Sequence, residues 1–485
     1  MLRVGSVLNV LSVVLMLFSV AMAAPLVVSF LYGDAALHAF DEAVPITLVA
    51  GFVLWAITRN RRRELQPRDG ILLVALTWTV VPAFATLPLM IFLPELSFTD
   101  AYFETVSGLT TSGATVLSGL DRLPPSINFW RTFLIWIGGM GVVVLAVAIL
   151  PFLGIGGSQI MKAETPGPMK DTKFTPRITE TAKGLWGVYV ILTAACFLSF
   201  KAAGMTWFDA LVHSFTTMGL GGFSAHDESF GFFNSAAIEA VTVLFMLVAG
   251  VNFGTHFVAF RRRSFKPYRV DAEIRAYLGI VILSCLGIAG FLFAKGVYAD
   301  FPTALRHASF NVVSIATTTG FASTDFSQWP IFAPVWMLLL CCFATCSGST
   351  GGGIKMVRAR IMVHQARREM TRIVHPRAHT PIKLSGQVVE NNIVFAVLAF
   401  MLVYGGTMVA MTMLLAASGL DIITAFTAII ACLNNMGPGL GQVGPATTYA
   451  VLNDFQTWIC TSAMLLGRLE LFSLLLVFTP GFWRN

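Results

Sequence analysis

Apolar runs long enough to cross a membrane recur along almost the whole chain, with short polar segments between them. A helix needs roughly 20 apolar residues to cross the hydrocarbon core of a bilayer. Ten runs approach or exceed this length, near 4–32, 44–58, 71–94, 126–153, 184–204, 233–260, 276–298, 331–363, 388–417 and 448–480. The pattern predicts an all-α polytopic membrane protein with ten spans.

Four shorter amphipathic segments interrupt this series of spans. They lie at 98–109, 206–216, 303–316 and 421–433, and each is too short to cross the bilayer. A residue whose side-chain oxygen can cap free amides stands at or near each start, namely Asp100, Asp209, Thr303 and Asp421. We interpret these segments as half-helices that enter the membrane and stop inside it.

Each half-helix leads into a run of small, hydroxyl or amide residues that ends on a glycine. The final glycines are 106, 101 and 117 residues apart, so one unit of the chain is used four times: Gly113, Gly219, Gly320 and Gly437. Dehydrated cations are held by rings of backbone carbonyls, and glycine reaches the backbone angles that such turns need. The negative end of each half-helix dipole also points at the run, which favours a cation.

These repeats predict the organisation of the chain. We expect two leading spans and then four pseudo-symmetric span–pore helix–span units around a central ion pathway. The predicted boundaries are 1–69 for the leading spans and 70–182, 183–270, 271–384 and 385–485 for the four units.

Charge placement predicts the orientation. Four polar stretches, 59–69, 162–183, 261–275 and 357–383, hold 23 of the 32 Lys and Arg residues and only 8 acidic ones. The positive-inside bias puts these stretches and both termini in the cytoplasm, in an inner membrane. The net charge of +7 then reflects contact with inner-leaflet lipids, and we expect no nucleic-acid partner.

The first span also resembles a signal peptide. Arg3 precedes an apolar stretch, and Ala21-Met22-Ala23 has the form of a cleavage site. The apolar run continues to Leu31, beyond the length of a typical signal core. We therefore expect residues 1–24 to be retained as a membrane span.

Four half-helices, four glycine-ended runs and two extra leading spans resemble the Trk/Ktr/HKT superfamily of potassium transporters, and most of all its bacterial TrkH type. The resemblance covers essentially all 485 residues. It implies that the four glycines belong to a selectivity filter, and that potassium is the transported ion because glycine rather than serine ends the first run. The expected filter residues are Thr110, Thr111, Ser112, Gly113, Thr217, Met218, Gly219, Leu220, Thr318, Thr319, Gly320, Asn434, Asn435, Met436 and Gly437.

Among these residues we expect potassium to contact seven, Thr111, Ser112, Gly219, Thr318, Thr319, Asn435 and Met436. Only one aligned glycine stands in each run, and the residue after it differs from unit to unit. Discrimination among large monovalent cations should therefore be weak, with rubidium accepted.

A second constellation is predicted below the filter. The last span of the third unit breaks in a glycine-rich segment within 345–355, whose backbone must face protein or water because unpaired amides are costly in lipid. Arg468 lies 31 residues after Gly437, the depth of this segment, which lies 27 to 33 residues after Gly320. The arginine either meets carbonyls of the loop or forms a structural pair with Glu470 or another acidic residue. The resemblance implies a gate made of Ser347, Gly348, Ser349, Thr350, Gly351, Gly352, Gly353, Lys355 and Arg468.

The basic stretch 357–383 follows the glycine-rich segment directly. It serves either as inner-leaflet contact or as a docking site for a soluble regulator, with Arg367, Arg368 and Arg372 as candidates. The chain carries no nucleotide-binding fingerprint after a strand, so we expect no organic cofactor in it. The resemblance implies a TrkA-type ring that binds adenine nucleotides, and a homodimer of this chain.

Two other functions compete with that of a potassium channel-like transporter. A proton- or sodium-coupled potassium symporter could use the same scaffold. A polytopic membrane enzyme would use His213, His256 and His307 as ligands or acid–base groups, and it predicts that these histidines converge at one depth. Each stands alone in the sequence, so we expect no enzyme activity.

Overall fold

The computed structural model describes residues 4–61, 65–141, 178–378, 380–384 and 387–484. Three helices lead the chain, α1 (Val4–Ala21), α2 (Ala23–Tyr32) and α3 (Leu37–Thr58). Helices α1 and α3 pack side by side, and the Asn9 side chain donates to Thr58 Oγ1 at 3.2 Å. The later part of the predicted span 126–153 and the basic residues of 162–177 lie outside the described residues.

Four repeats follow, each with a first helix, a half-helix and a second helix. The first comprises α4 (Pro67–Ala85), α5 (Leu87–Phe92), α6 (Phe98–Leu109) and α7 (Pro125–Gly139), and the second α8 (Ile178–Ala202), α9 (Trp207–Gly219), α10 (Ala236–Ala249), α11 (Phe253–Arg262) and α12 (Lys266–Val270). The third comprises α13 (Ala272–Ala294), α14 (Phe301–Ala316), α15 (Phe332–Phe343) and α16 (Met356–Val374), and the fourth α17 (Asn391–Ala417), α18 (Ile422–Leu433), α19 (Asp454–Arg468), α20 (Phe472–Val477) and α21 (Pro480–Trp483).

The described part of the chain is mostly helical. Between the third and fourth repeats a two-residue hairpin pairs β1 (Lys383–Leu384) antiparallel with β2 (Gln387–Val388). Leu384 packs with Val357, Ile361 and Val394 from the two flanking helices. The sequence pattern does not predict this hairpin, but the hairpin leaves the prediction of an all-α polytopic membrane protein intact.

The half-helices α6, α9, α14 and α18 begin as capped helices. Their capping side chains are Ser97, Thr206, Asp300 and Asp421, and each accepts from the backbone amide three residues later. Of the predicted capping residues, only Asp421 caps its helix. Asp100, Asp209 and Thr303 instead supply the amide that the cap accepts, so the capping residue lies three positions before each of them.

The long continuous helices are the two leading spans and the first helix of each repeat. Six apolar helices in the described part of the chain are long enough to cross a membrane: 4–32, 37–61, 68–92, 182–202, 272–294 and 391–417. Within the described residues, the second helices of the last three repeats are interrupted, and α7 ends at Gly139. The ten predicted runs are therefore not ten continuous helices.

The way in which the second helix ends or breaks differs from repeat to repeat. Helix α7 ends at Gly139, α10 and α11 meet at 92°, a loop separates α15 from α16, and α19 ends at Arg468. Glycines lie at the first three of these sites. At the fourth, the non-glycine residues Glu470 and Leu471 adopt left-handed conformations with φ of 53° and 52°. Only the break in the third repeat was predicted.

Candidate ion filter and gate

The turn that follows each half-helix shares two backbone features in all four repeats. One residue adopts a left-handed conformation one or two positions after the helix ends, namely Thr111, Leu220, Thr318 and Asn435, with φ of 56°, 52°, 60° and 53°. The next residue then donates its amide to the carbonyl five residues earlier, at 2.8 to 3.0 Å, in Ser112, Gly221, Thr319 and Met436. This shared pattern defines which residues are equivalent.

The equivalence brings four glycines together, and we call them the ring glycines: Gly113, Gly222, Gly320 and Gly437. A Cβ atom on any of them would meet backbone of the next repeat. On Gly222 it would lie 2.7 Å from the Thr319 carbonyl oxygen, and on Gly437 it would lie 2.8 Å from that of Ser112. Four chain segments thus approach one another so closely that a side chain has no room.

The predicted alignment is wrong in the second repeat by three residues. Gly219 is the last residue of α9, where it is equivalent to Thr110 rather than to Gly113. The tandem glycines Gly221 and Gly222 occupy the turn instead and were missed. The run 216–219 resembles the other runs in residue types, but its helix continues to the glycine.

The segment between α15 and α16, residues 344–355, is the inner loop. It contacts the turns of three repeats from below. Thr350 Oγ1 donates to the Met218 carbonyl at 3.0 Å, and the Gly352 amide donates to Thr318 Oγ1 at 2.8 Å. A Cβ on Gly352 would overlap the Asn434 carbonyl. The loop therefore lies directly against the second, third and fourth repeats next to their filter turns.

Arg468 joins the inner loop to the first repeat. Its guanidinium donates to the Thr350 carbonyl at 3.0 Å, to Thr111 Oγ1 at 3.1 Å, and to the carbonyls of Gly138 and Gly139. The prediction that it meets a loop carbonyl matches this geometry. The alternative pair with Glu470 is wrong because Glu470 binds Arg358 at 2.6 Å.

Further contacts anchor the two ends of the inner loop. Glu273 Oε1 accepts from the amides of Ser347 and Val357 at 2.8 and 3.0 Å, and so holds both ends. The Gly348 carbonyl accepts from Phe253 at the start of α11, and Lys355 Nζ donates to the Gly351 carbonyl. Lys355 was among the predicted gate residues but Glu273 was not, because its only signal is a carboxylate in the first turn of an apolar span.

The candidate docking arginines differ in accessibility. Arg367 and Arg372 lie exposed on α16. Arg368 is buried, and it donates to Asn391 Oδ1 at 2.9 Å. Contrary to the prediction, Arg368 therefore does not contribute to an exposed docking surface.

The three histidines do not converge. His213 lies against the Asp209 carbonyl and Ser224 Oγ, His256 against Tyr268 and the Val248 carbonyl, and His307 near Ser323 Oγ. Within the described residues, no group of three His, Cys, Asp or Glu side chains could hold a metal ion. Each histidine has a structural hydrogen-bond partner.

The fold and the site together define a multi-pass helical membrane protein with fourfold internal repetition. The chain belongs to the TrkH family, described as cation transport protein, whose family model matches residues 36–484. The family transports cations and is not a family of enzymes, so the alternative of a membrane enzyme is wrong.

Several proteins are similar to this chain over nearly its whole length. The Trk system potassium uptake protein TrkH of Vibrio parahaemolyticus is 47% identical over 483 residues, which cover 99% of both chains. The protein of the same name from Escherichia coli K12 is 44% identical over 481 residues, again 99% of both chains. The crystal structure of the potassium transporter TrkH from Vibrio parahaemolyticus aligns with a TM-score of 0.90 at 45% identity and covers 99% of both chains.

Proposed function

We propose that this chain takes up potassium through a filter formed by the turns at the four ring glycines. The observation that carries the proposal is the meeting of four equivalent backbone turns, one from each repeat, with no room for a side chain at the glycine. Similar proteins bear the name potassium uptake protein. Potassium would contact the turns at Thr111, Ser112, Thr318, Thr319, Asn435 and Met436, with Gly221 in the place predicted for Gly219.

We further propose that the inner loop is a gate held closed by Arg468. The support is steric and electrostatic, since the loop contacts three of the four turns and its Thr350 carbonyl binds the guanidinium. A hydrogen bond from a charged donor contributes about 1.5–3 kcal/mol. Loss of such a bond would shift a closed-to-open equilibrium by about one to two powers of ten.

The proposed setting is an inner membrane with both termini in the cytoplasm. Two leading helices and four units would surround one pathway in each protomer of a homodimer. The support for orientation is the clustering of Lys and Arg in four stretches. A TrkA-type nucleotide-binding ring would dock on the exposed Arg367 and Arg372 and pull on the inner loop through α16, which begins directly after it.

The test of the filter uses two glycines with similar backbone angles. Gly113 has φ of 78° and lies in the ring, whereas Gly119 has φ of 71° and no atom within 4 Å of the place where a Cβ would lie. Purified Gly113→Ser and Gly119→Ser proteins are compared in planar bilayers by reversal potential under opposed potassium and sodium. Only Gly113→Ser should lose discrimination, and equal permeability ratios in the two variants would refute the filter.

A further inference from the structure

One position on the half-helices is polar and buried in three of the four repeats. It lies nine residues before the ring glycine and holds Glu104, His213 and Asn311, exposed to 1%, 0% and 0%. In the fourth repeat Ala428 stands there, and its neighbour Thr427 supplies the polar atom. All four repeats therefore place a polar side chain behind the filter turn.

These side chains form hydrogen bonds with the chain segments that follow the ring glycines. Glu104 accepts from the Val116 amide at 3.0 Å, and Thr427 Oγ1 accepts from the Leu440 amide at 2.9 Å. Asn311 accepts from the Ser323 amide at 3.2 Å, and His213 Nε2 lies 2.9 Å from Ser224 Oγ. Each contact fixes a residue two or three positions after a ring glycine.

The first repeat alone places a pair of opposite charges there. Arg131 on α7 donates from Nε to Glu104 Oε1 at 2.8 Å, and both side chains are only 1% exposed. The guanidinium also donates to Thr115 Oγ1 at 3.2 Å and to the Ser224 carbonyl at 3.0 Å. Thr115 and Ser224 stand two residues after Gly113 and Gly222. One arginine is therefore hydrogen-bonded to the chain segments that follow two different filter turns.

Neutral backbone bonds link two other pairs of repeats at the same level. The Tyr449 amide of the fourth repeat donates to the Thr115 carbonyl of the first at 2.9 Å, and the Phe230 amide of the second donates to the Ala322 carbonyl of the third at 3.0 Å. At Ser224 a guanidinium takes the place of such an amide. Its planar fork can serve several acceptors at once, which a lysine ammonium on a flexible stem does less precisely.

We propose that Arg131, held by Glu104, is a positioning residue that sets potassium selectivity by fixing the filter turns of the first two repeats against each other. The proposal rests on the proposed filter function. Arg131 does not reach the ion, and it acts through Thr115 and the Ser224 carbonyl. A buried charge left without its partner is strongly destabilising, so variants must keep the charge pair to separate positioning from folding.

The variant that meets this requirement is Arg131→Lys. It keeps a positive charge beside Glu104. A lysine ammonium lacks the planar set of donors with which the guanidinium binds Glu104, Thr115 and the Ser224 carbonyl together. The matched control is Arg306→Lys, on the third half-helix, because Arg306 binds Glu239 at 2.7 Å and also donates to Asn234. The full-length proteins are purified, reconstituted in planar bilayers, and compared by reversal potential under opposed potassium and sodium.

We expect Arg131→Lys to lower the potassium-to-sodium permeability ratio by roughly tenfold, the equivalent of one weakened hydrogen bond to a charged group. Arg306→Lys should keep the original ratio. If Arg131→Lys does not accumulate in the membrane, Glu104→Asp, which keeps the charge pair but shortens the side chain that positions Arg131, replaces it with the same expected direction. A conducting Arg131→Lys or Glu104→Asp protein with an unchanged ratio overturns the proposal.

The companion variant Gly113→Ser separates this result from the proposed function. If Gly113→Ser loses discrimination and Arg131→Lys does not, the filter stands and the positioning role is wrong. If neither changes the ratio, the filter itself is wrong. Equal losses in Arg131→Lys and Arg306→Lys would mean that any weakened ion pair near the half-helices loosens the filter, which also overturns the specific role of Arg131.

Discussion

The two halves of each repeat follow opposite rules: the filter half, which contains the half-helix and its turn, and the loop half, which contains the second helix. In the filter half, the half-helices end in a shared turn, with one left-handed residue and one amide bonded five residues back. In the loop half, the second helices end or break in four different ways within the described residues. A filter ring needs an equivalent turn from every repeat, whereas a single segment is enough to obstruct a pathway. We infer that selectivity depends on all four repeats and gating on the third and fourth.

The largest effect is expected from a substitution that disrupts the equivalence of the four filter turns. A side chain at Gly113 would overlap the backbone of Gly222, so Gly113→Ser must displace two turns. We expect the potassium-to-sodium permeability ratio to fall by about tenfold or more, or uptake to be lost in a host that depends on it for potassium. Growth on low potassium checks the effect in cells, with Gly119→Ser as the control that should grow normally.

The next largest effect is expected from loss of Arg468, which binds the inner loop that only the third repeat supplies. Arg468→Ala removes the bonds to Thr350, Thr111 and the Gly138 and Gly139 carbonyls, and should raise partner-free potassium flux by about ten- to a hundredfold. Selectivity should change far less than in Gly113→Ser. A deletion within 347–353 should act in the same direction. Partner-free flux into proteoliposomes at or below that of the unmodified protein would make Arg468 a structural charge.

These two regions also differ in how far the sequence predicts them. The half-helices were predictable because their length, their amphipathic pattern and their repetition can be read directly from the sequence, although three of the four capping residues could not. The turn of the second repeat was not, since Thr216 to Gly219 matches the other runs in composition while α9 extends through it. The break at Glu470 and Leu471 was also hidden, because non-glycine residues adopt left-handed angles only where tertiary contacts hold them.

A smaller effect is expected at the exposed arginines of α16. Arg367→Gln with Arg372→Gln removes two exposed charges from α16 and should weaken binding of a TrkA-type ring several-fold, roughly the worth of two surface ion pairs. The control is Arg261→Gln with Arg262→Gln, an exposed pair at the end of α11. Pull-down at moderate salt measures the binding. Equal binding by both double variants would favour lipid contact as the role of α16.

The smallest effect concerns the loops that follow the filter turns, where His226 links the first two repeats. It contacts Asp121 from the first repeat, and Asp209 Oδ1 at 3.0 Å, with His213 stacked nearby and the Asp227 amide bonded to Asp121. Burial opposes its charge, but the hydrogen bonds and charges of Asp209 and Asp121 outweigh burial and raise the pKa of His226 above 6.5. For Asp121, burial is likewise outweighed by His226, and the pKa lies below 3.8.

The sign of the pH dependence follows from these shifts. The His226 link stabilises the fold fully below pH 6.5, and this contribution is lost as the pH rises through the raised pKa of His226. The Asp121 contribution is lost only in strong acid. The melting temperature of His226→Gln should therefore lie below that of the unmodified protein at pH 6 and approach it at pH 9. His38→Gln, at an exposed histidine, should show no such convergence.

The central claim is that four equivalent turns form one filter, and the second repeat tests it most directly. The structure assigns Gly222 to the ring although the residue types favoured Gly219. The decisive measurement is the potassium-to-sodium permeability ratio of purified Gly222→Ser in planar bilayers. The account predicts a loss comparable to that of Gly113→Ser, because a side chain there would lie 2.7 Å from the Thr319 carbonyl oxygen. A conducting Gly222→Ser protein with the unmodified ratio would contradict it.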